Sequence, residues 1–164
     1  MDLELFKLFL NKCKEEQKQE IINRICEEYK DNLNVLCKEQ FQFSNYILQY
    51  ILENYRNYIE ILNKNFKGNI CEFSLDKYAS YLVEKILEYG SEEQKNEIGK
   101  EIINNNDNIL KLSTNKYGNY VIQKVIQFCS KDIGKHIIKI VEEIPKNKRG
   151  KYWKYIYNFL DKYD

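Results

Sequence analysis

The sequence predicts an all-α fold, and three observations support this prediction. No segment shows the strict alternation of polar and apolar residues that is typical of a half-buried strand. The 164 residues include one proline and six glycines, a composition that favours long helices over strands and turns. Three similar stretches recur at intervals of 35 and 39 residues, measured from Asn45 to Ser80 and from Ser80 to Asn119. Intervals of this size are typical of helical repeat proteins.

Each stretch consists of a small residue, a polar residue, a tyrosine, two apolar residues and an amide or acid, followed by a second apolar pair. The stretches are residues 44–49, 79–84 and 118–123. On a helix with about 100° per residue, the apolar residues of the first copy fall at about 200–340°, counted from Asn45. Tyr46 and Gln49 fall at about 100° and 40°, on a neighbouring face with Asn45. The first face predicts a core, and the second predicts a surface of groups that hydrogen-bond or stack.

Helical periodicity predicts the remaining elements in chain order. Apolar spacing predicts helices over residues 2–12 and 15–29, and Asp31 and Asn32 can cap a short helix after them. The predicted helices that follow are residues 43–53 and 55–65, then 70–74, 78–89 and 91–103, then 109–114, 118–129 and 131–144, and finally an aromatic helix over 149–163. Three helices per unit, each unit stacked on the next, predict an α-solenoid with a continuous core.

Two local signals mark helix ends in the second and third units. Ser91, followed three residues later by Gln94, is a capping-box pattern. The run of asparagine and aspartate over residues 104–108 predicts a turn, which would account for the longer second interval.

Composition excludes several classes of protein. Apolar residues make up 43% of the chain and charged residues 31%, as in a soluble globular protein. No apolar run is long enough to span a membrane, and the opening residues do not resemble a signal peptide. The five cysteines are scattered without a Cys-x-x-Cys pair, which predicts reduced, mostly buried thiols in a cytosolic or nuclear protein.

Charge is divided unevenly along the chain. Residues 109–164 hold 12 Lys and Arg against 5 Asp and Glu, a net charge of +7, whereas residues 1–108 carry −6. A basic C-terminal third is compatible with a bound phosphate backbone, and equally with a solvated lysine-rich face.

No pattern indicates catalysis. His136 is the only histidine, and its basic neighbourhood predicts a surface or capping role. The paired glutamates are adjacent in sequence, so the members of each pair do not face each other on a helix. Because no phosphate loop, metal-ligand cluster or nucleophile motif occurs, we predict no enzymatic activity, cofactor, metal or small-molecule substrate.

The three stretches, "NYILQYILE", "ASYLVEKILE" and "GNYVIQKVI", resemble the base-reading helices of the Pumilio (PUF) family of RNA-binding repeats. The resemblance implies a curved, armadillo-like superhelix of three-helix repeats, of which this chain corresponds to the C-terminal half. It implies repeats at residues 33–67, 68–108 and 109–144. It also implies a degenerate partial repeat at residues 1–32 and a C-terminal capping segment at 145–164, all within one solenoid domain.

In such helices, side chains at the first and fifth positions of a five-residue motif contact a base edge, and the second stacks on the base. The resemblance therefore implies nine RNA-binding residues: Asn45, Tyr46 and Gln49 for uracil, Ser80, Tyr81 and Glu84 for guanine, and Asn119, Tyr120 and Gln123 for uracil. Amide side chains have the donors and acceptors that suit the mixed edge of uracil, and an ionised carboxylate suits the two donors of guanine. Family members bind RNA antiparallel, so the implied core is 5′-UGU. Lys85 and Lys124 could approach phosphates or could be solvated.

The function implied by the resemblance is sequence-specific binding of single-stranded mRNA at UGU elements in 3′ untranslated regions. The protein would act in the cytoplasm, repressing translation or promoting decay through deadenylase or repressor proteins. Two alternatives remain open: a helical-repeat scaffold that binds a peptide, and a nucleolar Pumilio-like factor that binds structured RNA without reading its sequence. Three readable repeats predict weak, salt-sensitive binding by this chain alone, so it would belong to a longer protein or act with a partner. Without a neighbouring repeat, Leu5, Phe6, Phe9 and Leu10 would form an uncovered apolar face.

Overall fold

The computed structural model describes residues 3–29 and 42–163, and within these ranges the chain forms helices and no strands. The α-helices are α1 (Leu3–Lys12), α2 (Glu15–Tyr29), α3 (Gln42–Asn54), α4 (Ile59–Phe66), α5 (Ile70–Leu75), α6 (Ala79–Tyr89), α7 (Glu92–Ile103), α8 (Asn106–Thr114), α9 (Gly118–Phe128), α10 (Lys131–Glu143) and α11 (Trp153–Tyr163). Two 3-10 helices, Arg56–Tyr58 and Lys146–Lys148, precede α4 and α11. The all-α prediction is confirmed. The short helix predicted after Asp31 and Asn32 lies outside the described residues.

The helices form a solenoid of similar units. The helices α5, α6 and α7 form one unit, α8, α9 and α10 the next, and α3 and α4 take the places of α6 and α7 in the unit before. The helices α3, α6 and α9 lie side by side in chain order, and α11 packs against α9 at the C-terminal end. We call α3, α6 and α9 the tyrosine row, because each carries the tyrosine of its repeated stretch. None of the helices in the described part of the chain is both long and apolar enough to cross a membrane.

The apolar faces of the three helices in the tyrosine row are buried, and one core runs through all three. The buried members from this row and from α11 include Leu48, Leu52, Leu82, Val83, Ile86, Val121, Ile122, Val125 and Ile156. On α3, Ile51 lies in a second cluster with Ile22, Cys26 and Tyr58. Because the same core runs from unit to unit, the opposite, polar faces of the three helices are held in a common direction.

Caps and one glycine define the connections of the second unit. Ser91 Oγ accepts a hydrogen bond from Gln94 N and Gln94 Oε1 accepts one from Ser91 N, so the predicted capping box is confirmed. Gly68 turns the chain into α5 with φ of 87°, a conformation that favours glycine. The carboxylate of Glu101, on α7, accepts hydrogen bonds from Gly68 N and Ile70 N, both at 2.8 Å. One side chain thus satisfies two of the backbone donors at the start of α5.

Three predicted helix boundaries were wrong. Residues 106–108 form the first helical turn of α8, whereas the sequence predicted a non-helical connection there. The helix begins earlier because Asn105 caps it by accepting a hydrogen bond from Asp107 N. The longer interval therefore comes with a longer first helix, nine residues in α8 against six in α5. The helix predicted over 55–65 begins as the 3-10 turn that follows the non-helical backbone of Tyr55, and the last α-helix begins at Trp153 rather than at residue 149.

Burial differs from two sequence expectations. On α1, Phe6 and Leu10 are buried, and Phe6 makes an edge-to-face contact with Tyr50, whereas Leu5 and Phe9 are exposed together with Leu8. The short α1 therefore covers part of its own apolar face by packing on α3. The four cysteines within the described residues are free thiols, as predicted, but of these only Cys26 is fully buried.

Replacing Glu101 tests its role as a cap. We expect Glu101→Ala to lower the free energy of unfolding by about 1–2 kcal/mol, since it leaves two backbone donors without their charged acceptor. Glu101→Gln keeps one side-chain oxygen and should give a smaller loss. Urea denaturation followed by circular dichroism measures both values, and equal stability of all three proteins would contradict the assignment.

Candidate RNA-binding site on the tyrosine row

Two helices of the tyrosine row begin with the same local structure. Asp76 Oδ1 accepts hydrogen bonds from Tyr78 N and Ala79 N, at 2.8 and 2.9 Å. Asn115 Oδ1 accepts from Tyr117 N and Gly118 N at the same two distances. These caps fix where α6 and α9 begin, and hence the rotation at which their polar faces are presented. Sequence reasoning missed both residues, although the Asp or Asn four positions before Ser80 and Asn119 was a readable signal in these two stretches.

The three tyrosines are the exposed members of the repeated stretches. Tyr46, Tyr81 and Tyr120 are 40%, 46% and 47% exposed, one on each helix of the row. The ring of Tyr155, on α11, lies next to that of Tyr120 at the C-terminal end of the row. Their ring centroids are 6.5 Å apart and the interplanar angle is 26°. Equal exposure at the same position of three adjacent helices produces a series of aromatic faces open to a ligand.

The first polar residue of each stretch is buried, which differs from the predicted surface position. Asn45, Ser80 and Asn119 are at most 1% exposed. Asn45 Nδ2 donates to Tyr78 O just before α6, and Asn119 Nδ2 donates to Asn115 O and Lys116 O. Helical periodicity placed these residues correctly relative to the tyrosine. It could not show that the chain entering the next helix covers Asn45.

The buried asparagines hold the fifth-position amides. Gln49 Nε2 donates to Asn45 Oδ1 at 2.5 Å, and Gln123 Nε2 donates to Asn119 Oδ1 at 3.3 Å. Each glutamine is half-buried beside its tyrosine and keeps its carbonyl oxygen and one N–H for a ligand. Asparagine and glutamine thus act as a unit in which the buried residue positions the more accessible one.

The central stretch differs because its acid has no such partner. The hydroxyl of Ser80 lies 3.5 Å from Lys77 O, and within the described residues the Glu84 carboxylate forms no ion pair or hydrogen bond with a protein group. Burial raises the pKa of Glu84 to about 7, against the opposing charge of Lys124; Glu88 raises it further and Lys85 lowers it. A half-buried carboxylate with unused acceptors, beside an exposed tyrosine, suits a ligand that presents hydrogen-bond donors.

Charged side chains link the three helices of the row. Lys85 Nζ lies 2.8 Å from Glu53 of α3 and 3.3 Å from Glu88, and Lys124 Nζ of α9 lies 2.5 Å from the other oxygen of Glu88. We call these four residues the ion chain. Burial opposes ionisation of Glu88, but the two lysines outweigh it and lower its pKa. Both lysines that the sequence suggested as phosphate contacts are therefore already paired with carboxylates.

Three basic residues of the C-terminal third lie on α10, outside the tyrosine row. Lys131, Lys135 and Lys139 are exposed on α10, and His136 of that helix contacts Asn106. The residues that the structure describes contain no group of three or more His, Cys, Asp or Glu side chains that could hold a metal.

Comparisons with known proteins agree with this architecture. The profile of the Pumilio-family RNA binding repeat matches residues 9–26, 69–103 and 108–144, more than half of the chain. The chain belongs to the Pumilio family. The profile leaves out residues 27–68, although α3 carries the same stretch as α6 and α9. No curated protein sequence matches the chain.

Solved Pumilio structures share the fold. The Puf3 RNA binding domain bound to a Cox17 RNA 3′ UTR recognition sequence, site B, is 26% identical with a TM-score of 0.74, covering 93% of this chain and 41% of Puf3. The RNA-binding domain of yeast Puf5p bound to SMX2 RNA is 21% identical with a TM-score of 0.75. PUF-8 in complex with PBE-RNA is 24% identical with a TM-score of 0.72; for both proteins the match covers 94% of this chain and 45% of theirs. The chain thus spans less than half the length of these relatives. The repeat boundaries and the base contacts of the nine residues stay predictions.

The raised pKa of Glu84 predicts a stability cost at the site. Between the ordinary pKa of a glutamate and about 7, the folded protein keeps a proton that the unfolded chain releases, so stability falls as pH rises through this window. We expect Glu84→Gln to raise the free energy of unfolding by roughly 2 kcal/mol at pH 8 and to have little effect at pH 4. Urea titrations at both pH values measure the difference. Parallel stability curves for the two proteins across this range would contradict it.

Proposed function

We propose that the tyrosine row binds single-stranded RNA and recognises the core 5′-UGU, with α9, α6 and α3 contacting the three bases in that order. The observation that carries the proposal is that each of three adjacent helices has an exposed tyrosine beside a half-buried polar side chain. That side chain is Gln49 on α3, Glu84 on α6 and Gln123 on α9. Membership of the Pumilio family and the RNA-bound relatives support RNA as the ligand, and the antiparallel order follows the family.

The side chains have the chemistry that these bases require. Uracil presents carbonyl oxygens and one imide N–H, which match the free N–H and the carbonyl oxygen of Gln49 and Gln123. Guanine presents a ring N–H and an exocyclic amino group, which match two acceptors of ionised Glu84. Each tyrosine supplies a face on which a base stacks without regard to its identity. Tyrosines would therefore contribute affinity, and Gln or Glu would contribute selectivity.

The proposed cellular role is the one that the resemblance to the Pumilio family implies. We propose binding to UGU elements in the 3′ untranslated regions of mRNAs in the cytoplasm, which leads to repression of translation or to decay through a deadenylase or repressor protein. The protein would act by binding, without catalysis. With about 1–3 kcal/mol per stacked or paired base and a cost of ordering the RNA, three bases support only modest affinity.

Fluorescence anisotropy with short labelled RNAs tests the base assignment. We expect an oligonucleotide containing UGU to bind at least tenfold more tightly than the matched UUU oligonucleotide, at a fixed and stated salt concentration. Tyr81→Ala should weaken both complexes, because it removes stacking, whereas Glu84→Gln should remove most of the preference for guanine. Equal binding of UGU, UUU and ACA would indicate recognition of shape and charge. No RNA binding at all would favour a peptide scaffold.

Binding of guanine should also depend on pH. Only the ionised carboxylate accepts from both guanine donors, and with a pKa of about 7 it is mostly protonated at pH 6. We expect the UGU oligonucleotide to bind about tenfold more weakly at pH 6 than at pH 8, with little change for UUU. In the Glu84→Gln protein, the affinity for the UGU oligonucleotide should be the same at pH 6 and at pH 8. A pH effect that persists in this variant would show that another group titrates.

A further inference from the structure

The central position of the tyrosine row lacks the support that its neighbours have. At the outer positions a buried asparagine holds the reading glutamine, through Asn45 to Gln49 and Asn119 to Gln123. At the centre the Ser80 hydroxyl faces Lys77 O instead. Whether Glu84 carries its charge therefore depends on its burial and, next, on the charges around it, rather than on a hydrogen-bonding partner.

Three charged groups act on Glu84. Its own helix supplies Lys85 and Glu88, and α9 supplies Lys124. Glu53 of α3 is paired with Lys85. Glu88 follows Glu84 by four residues, so the two carboxylates lie on the same side of α6, one turn apart. An ammonium bound to Glu88 is thus held close to Glu84.

The two lysines are not equivalent. The ammonium of Lys85 is shared between two carboxylates, Glu53 and Glu88. Within the described residues Lys124 has one carboxylate partner, Glu88. Both ammonium groups also lie 5.5 Å from an aromatic ring centroid on their own helix, Tyr89 for Lys85 and Phe128 for Lys124. Of the two, Lys124 has the larger effect in favouring ionised Glu84.

We propose that Lys124, a residue of the following repeat, strengthens the preference for guanine at the central position by favouring the charged form of Glu84. This inference rests on the proposed function. Base selection by one repeat would then depend on its neighbour.

The proposal predicts a loss that is specific to one base. Without the ammonium, Glu84 is protonated over a wider pH range and presents one donor and one acceptor, a mixed edge that no longer matches the two donors of guanine. A lysine that binds a phosphate would behave differently. Its loss would weaken binding to every sequence alike and would reduce the salt dependence of the affinity.

The test uses four variants of the full chain. Lys124→Met removes the charge and keeps most of the stem, and Lys124→Arg keeps the charge. Lys135→Met is the matched control, because Lys135 is exposed on α10 and outside the tyrosine row. Glu88→Gln removes the like charge next to Glu84. Titration of the Glu84 carboxyl carbon by NMR follows its charge without RNA, and anisotropy with UGU and UUU oligonucleotides at pH 7 and 8.5 follows base selection.

We expect Lys124→Met to raise the titration midpoint of Glu84 and to reduce the preference for UGU over UUU by about three- to tenfold at pH 7, with recovery at pH 8.5. Lys124→Arg and Lys135→Met should behave like the unchanged protein. Glu88→Gln should lower the midpoint and keep the preference at pH 7, a change of opposite sign that general damage to the fold would not produce.

Three outcomes would overturn the proposal. An unchanged midpoint in Lys124→Met would show that the ammonium does not act on Glu84. Equal weakening of both oligonucleotides at both pH values would make Lys124 a phosphate contact. The third outcome is that Lys124→Met shifts the midpoint of Glu84 but the unsubstituted protein shows no preference for guanine at any pH. This result would reject the proposed UGU recognition and, with it, the role of Lys124 in selectivity.

Discussion

The side-by-side packing of α3, α6 and α9 is the constraint on which the candidate site depends. Each helix buries an apolar stripe in a core that continues into the next unit, so none of the three can rotate without exposing leucine, isoleucine or valine. Because the tyrosine lies at the same distance from that stripe in each helix, packing places Tyr46, Tyr81 and Tyr120 in one series with nearly equal exposure. The regularity of the surface follows from the regularity of the core.

Buried polar residues make this surface more than a set of exposed side chains. Asn45 and Asn119 each donate to the backbone and accept from a glutamine, so they connect the accessible amide to the fixed chain. A buried amide without partners would be costly, and these are satisfied within the protein. The glutamines consequently lose part of their conformational freedom before any ligand arrives, which lowers the entropic cost of binding.

The charged side chains of the row are arranged differently from its amides. The ion chain from Glu53 to Lys124 joins three helices and pairs lysines that would otherwise face a ligand freely. Glu84 remains next to this chain as a carboxylate with unused acceptors. Half-buried acids without a direct partner are unfavourable for stability, and such groups are common where a protein binds a ligand or carries out chemistry. Glu84, a half-buried acid with unused acceptors, thus lies at the position that we propose for guanine.

The sequence by itself determined the helical class, the repeated unit, the capping box at Ser91 and the position of each tyrosine relative to the core stripe. These features depend on local periodicity and on residues close in the chain, which a sequence displays directly. Only the tertiary structure decided that Asn45, Ser80 and Asn119 are buried, that Lys85 and Lys124 are paired, and that Glu84 is not. The long-range partners are Tyr78 for Asn45, Glu53 for Lys85 and Glu88 for Lys124, each 32 to 36 residues away on, or just before, a neighbouring helix. These contacts therefore exist only once the units have stacked.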